Sequence, residues 1–191
     1  MRVLVVDESA ERGELLRAAL RREGYDVAAP LYSPFLLLET IEKTRPDVVV
    51  IDVDSPSRDV LEHLVMITEN TPRPIVMFSA DGAPDAIRNA TRAGVSAYVV
   101  DGIDRKSIKA IVDAACARFD EFQALRVRLA EANMKLAERK LVERAKGLLM
   151  SRRGIGEDAA YAALRKIAMD RGLKLSEVAQ RVIDAADFLG A

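Results

Sequence analysis

Residues 48–52, with the sequence VVVID, decide the fold of the first part of this chain. Four β-branched residues in a row form a short buried-strand pattern that ends in an acid. Similar apolar runs lie at residues 3–6, 75–78 and 97–100, and a further strand candidate at residues 25–29 follows Gly24. Stretches with helical spacing of apolar residues alternate with these runs, around residues 15–20 and at 35–44, 60–68, 85–93 and 105–116. The alternation predicts an α/β domain, a doubly wound five-stranded parallel sheet with helices on both faces.

Polar side chains follow three of the predicted strands. Asp7 and Glu8 follow the first strand, Asp52 follows the third, and Ser79 follows the fourth. Ligands of open α/β sheets bind at the carboxyl ends of the strands, where we expect these side chains to meet. Three converging carboxylates repel one another unless a divalent cation lies among them, and hard oxygen ligands suit Mg²⁺. The Ser79 hydroxyl is expected within hydrogen-bonding reach of a group carried by Asp52.

The composition indicates two modules of opposite charge. The 191 residues include 29 Lys+Arg and 30 Asp+Glu, but residues 1–117 carry a net charge of −5 and residues 118–191 a net charge of +4. This asymmetry favours different partners for the two parts. The single cysteine excludes a disulfide framework and a cysteine-based zinc site. No apolar run approaches the roughly 18 residues that span a bilayer, and acids interrupt the first run too early for a signal peptide, so we expect a cytoplasmic protein.

The residues after about 118 contain no strand-like run and begin with a coiled-coil pattern. Apolar residues recur there at alternating intervals of three and four, at Phe122, Leu125, Leu129, Ala132 and Leu136. This spacing is typical of a dimer seam, and it predicts a homodimer formed by a helix that continues from the first domain. The alternative is a helix that packs back on its own chain.

Three amphipathic helices are predicted from residue 137 onward, with breaks at Gly154–Gly156 and at Gly172. Their apolar faces comprise Leu141, Ala145 and Leu148, then Ala160, Leu164, Ile167 and Ala168, then Val178, Val182, Ala186 and Leu189. Ser176 is a suitable N-cap for the third helix. We therefore predict an α/β domain over residues 1–117, a coiled-coil linker over 118–136 and a three-helix bundle over 137–191.

The motifs of the first domain resemble the receiver domain of bacterial response regulators, which has a flavodoxin-like fold. They are LVVDES, PDVVVIDVDSP, PIVMFSA and AGVSAYVV, in this order. The resemblance implies that Asp52 accepts a phosphoryl group, that Asp7, Glu8 and Asp52 bind a metal ion, and that Ser79 senses the phosphoryl group. Such receivers carry a lysine after the fifth strand, where this chain has Asp101. Because Asp101 adds negative charge there, we predict a protein-docking receiver in which phosphorylation is optional.

Residues 137–191 resemble the ANTAR domain, the RNA-binding module of the AmiR/NasR antiterminators. The resemblance includes ERK, AKGLLM, AYAALRKIA and LSEVA, and IDVDSPSRD and AYVVDG of the first domain further resemble the NasT branch, regulators of nitrate and nitrite assimilation. It implies binding to tandem hairpins of a leader RNA, which prevents termination. It also implies an inhibitory nitrate-sensing partner of the NasS type.

Basic residues that flank the apolar faces of the tail are the candidate RNA contacts. They are Arg139, Lys140, Arg144, Lys146, Arg153, Arg165 and Lys166, with Tyr161 as a candidate stacking platform. Such side chains bind phosphates and stack on unpaired bases. The alternatives are a solvated helix face for the basic residues and a core position for Tyr161.

The preferred interpretation is a regulator without catalytic residues, an RNA-binding antiterminator controlled by a ligand-sensing partner protein. The alternative is a phosphorylation-switched DNA-binding response regulator, in which a tail helix enters the major groove. An enzyme that hydrolyses phosphoryl groups is disfavoured, because the sequence has no P-loop motif and offers no evident general base.

Overall fold

The computed structural model describes residues 1–33, 36–100 and 107–189. The chain divides into two compact units, Met1–Gln123 and Ala124–Ala191. Within the described ranges, no helix combines the length and the apolar character that a membrane span requires.

A five-stranded parallel sheet forms the centre of the first unit. Its strands are β1 (Arg2–Asp7), β2 (Asp26–Val27), β3 (Val48–Val53), β4 (Ile75–Ser79) and β5 (Ala97–Val100). They lie in the order β2-β1-β3-β4-β5, and every neighbouring pair is parallel. This order confirms the predicted doubly wound fold. β2 is shorter than the predicted 25–29, because it ends at Val27. The chain pairs with β1 again only at the isolated bridge between Leu31 and Val6, beyond Pro30, which has no N–H to donate to a ladder.

Helices connect the strands of the first unit. They are α1 (Ala10–Arg22), α2 (Leu37–Thr44), α3 (Arg58–Asn70), α4 (Pro84–Arg92) and the beginning of α5 (Ile108–Arg153). Serine N-caps set the start of α1 and α3, because the Ser9 hydroxyl accepts from the Arg12 N–H and the Ser57 hydroxyl accepts from the Val60 N–H. α3 therefore begins before the predicted Val60. Residue 35 of the second predicted helix and residues 105 and 106 of the fifth lie outside the described residues.

Two apolar layers cover the sheet, one on each face. Successive residues of a strand point to opposite faces, so in β1 Leu4 and Val6 join one layer while Val3 and Val5 join the other. The first layer contains fully buried residues of α2 and α3, namely Leu37, Ile41, Leu64 and Ile67. The second contains residues of α1 and α5, namely Leu16, Leu20, Ile108 and Val112.

Gly94, in the turn between α4 and β5, lies close to α3. Its φ is +97°, and a Cβ atom at this position would lie 2.3 Å from Oγ1 of Thr68. The Thr68 hydroxyl is held in place, because it lies 2.9 Å from the Leu64 carbonyl oxygen and 3.2 Å from that of Ala93. Both the backbone conformation and the close approach therefore require glycine here.

Three helices build the second unit. They are the C-terminal part of α5, α6 (Glu157–Arg171) and α7 (Leu175–Leu189). The chain breaks where predicted, since Gly154 and Gly172 both adopt a φ of 62°. The core consists of Ala145, Leu164, Ala168, Val178, Ala179 and Ile183, with further apolar residues packed around it.

The buried faces of α6 and α7 differ from the predicted ones. Ile167 is 39% exposed, because it lies at the edge of the buried line that Leu164 and Ala168 form. In α7 the buried face includes Ala179 and Ile183, which the predicted stripe omitted. The side chain of Leu189 lies outside the described residues.

The start of α7 also differs from the prediction. The helix begins at Leu175, which places Ser176 in its first turn rather than at the N-cap. The carboxylate of Glu177 accepts a hydrogen bond from the Lys174 N–H at 2.9 Å, which is one half of a capping box. Glu177 therefore supports the start of the helix, the role that was predicted for Ser176.

The coiled-coil pattern lies on an uninterrupted helix, because α5 runs through all 46 residues from Ile108 to Arg153. This confirms the prediction that a helix continues from the first domain into the coiled-coil pattern. The four large residues of the pattern are exposed in the single chain, at 56% for Phe122, 51% for Leu125, 62% for Leu129 and 51% for Leu136. A large part of each of these side chains thus remains in contact with solvent.

Candidate functional site

The parallel register brings two carboxylates and a serine together at the carboxyl end of the sheet. Asp7 of β1 and Asp52 of β3 are paired in register, and Ser79 of β4 is paired with Val53. Asp7 is fully buried, Ser79 is nearly so, and Asp52 is half-buried. Three of the residues predicted for the acidic pocket therefore share one edge of the sheet.

Asp7 uses only one of its carboxylate oxygens within the described protein. Its Oδ1 accepts a hydrogen bond from the Ser9 N–H at 2.7 Å and lies within 3.3 Å of the Arg12 guanidinium. Its Oδ2 is buried and has no hydrogen-bond partner among the described residues. A buried carboxylate oxygen without a partner is costly for the fold, so this atom is the natural contact for an added cation.

Arg12 provides positive charge at the mouth of this pocket. Its Nη1 lies 2.6 Å from Oδ1 of Asp54, and its Nη2 lies 3.3 Å from Oδ1 of Asp7. The guanidinium thus joins the end of β1 to the segment that follows β3. The hydrogen bond to Asp54 raises the pKa of Arg12 further above its ordinary value, with a smaller contribution from Asp7.

Arg12 and Asp54 are site residues that were not predicted from the sequence. One signal was available for Arg12, which lies in the first turn of α1. A positive charge at this end of a helix opposes the helix dipole, so a nearby carboxylate is expected to compensate for it. No comparable signal singled out Asp54.

Asp52 lies in a setting that disfavours its charged form. Burial raises the pKa of Asp52 above its ordinary value, and the negative charge of Asp7 raises it further. The positive charge of Arg12 opposes this rise, while Asp54 adds to it. Added positive charge close to Asp52 would therefore stabilise its carboxylate.

Ser79 already has hydrogen-bond partners in the segments that follow β3 and β4. Its hydroxyl donates to the backbone oxygen of Asp54 at 3.0 Å and accepts from the Asp81 N–H at 3.1 Å. A hydroxyl has a single hydrogen to donate. Ser79 must therefore release the Asp54 carbonyl before it donates to a group on Asp52.

The pocket fits Mg²⁺ in one respect and departs from the predicted ligand set in another. Glu8 is exposed, and no group of three or more His, Cys, Asp or Glu residues in the described ranges is arranged to hold a metal ion. Mg²⁺ commonly binds through one or two carboxylates and keeps several waters. Asp7, with its unpartnered Oδ2, and Asp52 meet that smaller requirement. The predicted site at Asp101 lies outside the described residues.

The tail exposes most of the predicted RNA contacts. These exposed residues are Arg139, Lys140, Arg144, Arg153, Tyr161, Arg165 and Lys166. Tyr161 is 43% exposed, so the alternative of a core position for it is wrong. Arg144 lies 3.4 Å from the Asp187 carboxylate, and both side chains remain largely in solvent. Exposed pairs of this kind are weak.

Lys146 differs from the other predicted contacts because it is buried. Its ammonium group lies 2.8 Å from Glu143 of the same helix and 2.7 Å from Glu157 at the start of α6. The hydrogen bond to Glu143 and that to Glu157 raise the pKa of Lys146 above its ordinary value. Lys146 therefore links α5 to α6 and does not present its charge to a ligand.

A shallow groove between α6 and α7 adds two basic residues that the sequence analysis missed. Arg171 and Arg181 line it together with apolar side chains that include Ile167 and Val182, and its volume is about 200 Å³. Neither arginine forms an ion pair with a described carboxylate. Ile167, which is not fully buried, forms part of its wall.

Both units match known domain families. The response regulator receiver domain matches residues 3–113, and the ANTAR domain matches residues 130–183. Among solved structures, a CheY-like response regulator receiver domain protein from Methanospirillum hungatei is 18% identical, with a TM-score of 0.56, and covers 63% of this chain and 96% of that chain. The receiver domain of NarL from Mycobacterium tuberculosis is 24% identical, with a TM-score of 0.52, and covers 60% and 94%. These two likenesses show the fold.

One relative that spans both parts shows the family, and a second matches a shorter stretch. The transcriptional regulatory protein PdtaR of Mycobacterium tuberculosis is 33% identical over 183 residues, which cover 96% of this chain and 89% of PdtaR. The nitrate regulatory protein of Klebsiella oxytoca is 43% identical over 63 residues, which cover 33% of this chain and 16% of that protein. The chain therefore belongs to the response regulators that carry a receiver domain and an ANTAR domain, a family of regulators rather than enzymes.

Proposed function

We propose that this response regulator is a transcription antiterminator whose ANTAR domain binds tandem hairpins in a leader RNA. The observation that carries the proposal is the ANTAR match over residues 130–183, in which basic side chains are exposed on α5 and α6. Exposed arginine and lysine bind phosphates, and exposed tyrosine stacks on unpaired loop bases. We retain Arg139, Lys140, Arg144, Arg153, Tyr161, Arg165 and Lys166 as contacts, exclude the buried Lys146, and add Arg171 and Arg181.

The target genes and the partner are proposed from the similarity to the nitrate regulatory protein. We propose that the chain controls genes of nitrate or nitrite assimilation and that a nitrate-sensing protein of the NasS type inhibits it. The acidic part, residues 1–117, is the proposed docking module for that partner, because charge complementarity favours a basic surface opposite it. A leader-RNA target places this activity in the cytoplasm.

We propose further that residues 118–136 form a parallel coiled-coil dimer. The exposed Phe122, Leu125, Leu129 and Leu136 support it, since a second copy would bury four large apolar side chains from each chain. Two linked ANTAR domains, at residues 137–191, then engage two hairpins on one RNA. Linking the domains raises the effective concentration at the second hairpin.

Asp52 is the proposed phospho-acceptor, and Asp7 and Asp52 are the residues that would hold Mg²⁺. A bound divalent cation neutralises the charge that accumulates on the carboxylates and on a transferred phosphoryl group. Ser79 would donate its hydroxyl to that group after it releases Asp54. Because Arg12 already supplies charge to Asp7 and Asp54, we propose that partner docking rather than phosphorylation is the main control.

RNA binding is tested by titrating the full-length protein against the leader RNA of the neighbouring operon and against a duplex DNA of the same sequence. We compare wild type with Arg165→Gln and Lys166→Gln over a range of salt concentrations. Loss of one phosphate contact lowers the magnitude of the salt-dependence slope by about 0.7–0.9 and weakens binding several-fold. Lys146→Gln removes the same charge from a buried position and is the matched control, with folding checked by circular dichroism.

The expected result is tight binding to the hairpins that the two exposed-residue variants weaken and Lys146→Gln preserves. Preference for duplex DNA would favour the alternative, a DNA-binding response regulator. Equal weakening by all three variants would show that the distinction between exposed and buried basic residues is wrong.

A further inference from the structure

Arg12 brings a positive charge into the acidic pocket. Its guanidinium lies 2.6 Å from the Asp54 carboxylate and 3.3 Å from the Asp7 carboxylate, and Asp7 is fully buried. Asp54 itself is largely exposed, so the guanidinium spans from the solvent edge of the pocket to its interior. No other described arginine or lysine forms an ion pair with Asp7 or Asp54.

The contacts of Arg12 are incomplete in a way that bears on metal binding. The guanidinium contacts Oδ1 of Asp7 through both Nε and Nη2, at 3.4 and 3.3 Å, and leaves Oδ2 unpartnered. A divalent cation held by Asp7 and Asp52 would use this free oxygen. It would also come close to the positive charge of the Arg12 guanidinium, and like charges in close proximity repel strongly where solvent is partly excluded.

We propose that Arg12 is a built-in counter-ion that competes with divalent cations for the acidic pocket. To bind Mg²⁺, the receiver must move the guanidinium away from Asp7 and break or rearrange its contact with Asp54. The inference rests on the proposed cation site at Asp7 and Asp52. It concerns the receiver alone and is independent of RNA binding by the tail.

The test is a calorimetric titration of the full-length protein with MgCl₂. Arg12→Gln removes the charge and keeps a shorter polar side chain, and it is expected to bind Mg²⁺ at least about tenfold more tightly than wild type. Arg12→Lys keeps the charge without the planar fork and is expected to fall between the two. Arg17→Gln is the matched control, because it removes an arginine from the same helix whose partner is Glu14.

A double variant locates the ion. Arg12→Gln combined with Asp7→Asn should lose the gain in affinity, because the second change removes the buried carboxylate. Thermal melts with and without MgCl₂ provide a second readout, in which Arg12→Gln gains more metal-dependent stabilisation than wild type and the double variant loses that gain. Equal Mg²⁺ affinity in wild type and Arg12→Gln would overturn the proposal. A gain that persists in the double variant would place the ion elsewhere and overturn it as well.

Discussion

Replacing Leu129 with aspartate should dissociate the proposed dimer. Complete burial of a leucine contributes roughly 1.5–3 kcal/mol, and Leu129 is 62% exposed in the single chain, so its burial against a partner helix is worth about 1–2 kcal/mol per chain. Both chains contribute, which gives about 2–4 kcal/mol per dimer, or an increase in the dissociation constant of about 30-fold to several hundred-fold. Two facing carboxylates add repulsion to this loss.

The measurement is sedimentation equilibrium of the full-length protein over a wide range of concentrations. Val127→Asp is the control, because Val127 is 56% exposed but lies two residues away, about 200° around the helix. Wild type and Val127→Asp should dimerise alike, while Leu129→Asp should remain monomeric at the same concentrations. A monomeric wild type, or an equal shift in both variants, would refute the assignment of this face as the dimer seam.

Two further predictions concern the receiver. Gly94→Ala should lower the free energy of unfolding by about 2–4 kcal/mol in urea melts, since it adds the cost of a positive φ to a clash with Thr68. The control is Gly24→Ala, at a residue with a φ of +86° and no atom within 4 Å of the added Cβ, which should cost only about 1–2 kcal/mol. Equal losses in the two variants would contradict the role of Thr68. Because the pKa of Asp52 is raised in the folded state, ionisation of this carboxyl opposes folding, and the penalty grows as pH rises from the ordinary value of 3.8 through the raised one. Asp52→Asn should therefore be more stable than wild type at pH 7, with a difference that shrinks toward pH 4, and a difference that does not depend on pH would exclude this cause.

The sheet was predictable because burial on both faces leaves a direct mark on the sequence. Each central strand is a short run of β-branched and other apolar residues, and β1, β3, β4 and β5 lie where these runs lie. β2 was overestimated because the run 25–29 is apolar beyond the two residues that pair. Apolar character reports burial, whereas the length of a strand depends on backbone pairing with its neighbour.

The site was less predictable, because its decisive contacts join segments that are distant in sequence. Asp7, Asp52 and Ser79 could be placed, since each follows a strand and parallel strands align their carboxyl ends. The ion pair between Arg12 and Asp54 spans 42 residues, and no local periodicity signals it. Lys146 illustrates the same limit, because a helical wheel of α5 shows it as a flanking residue while its burial depends on Glu157 of the next helix.

Asp54 forms two contacts of different kinds, one through its side chain and one through its backbone. Its carboxylate holds the Arg12 guanidinium, and its backbone oxygen accepts the Ser79 hydroxyl. Thermodynamic linkage is reciprocal. The effect of releasing Arg12 on the Ser79 hydrogen bond therefore equals, in free energy, the effect of releasing Ser79 on the Arg12 ion pair. If expulsion of the guanidinium by a cation loosens Asp54 and so eases rotation of the Ser79 hydroxyl toward Asp52, then a hydroxyl that has already turned eases expulsion of the guanidinium by the same amount. The occupant of the cation site and the orientation of the hydroxyl would then report on each other through a single residue.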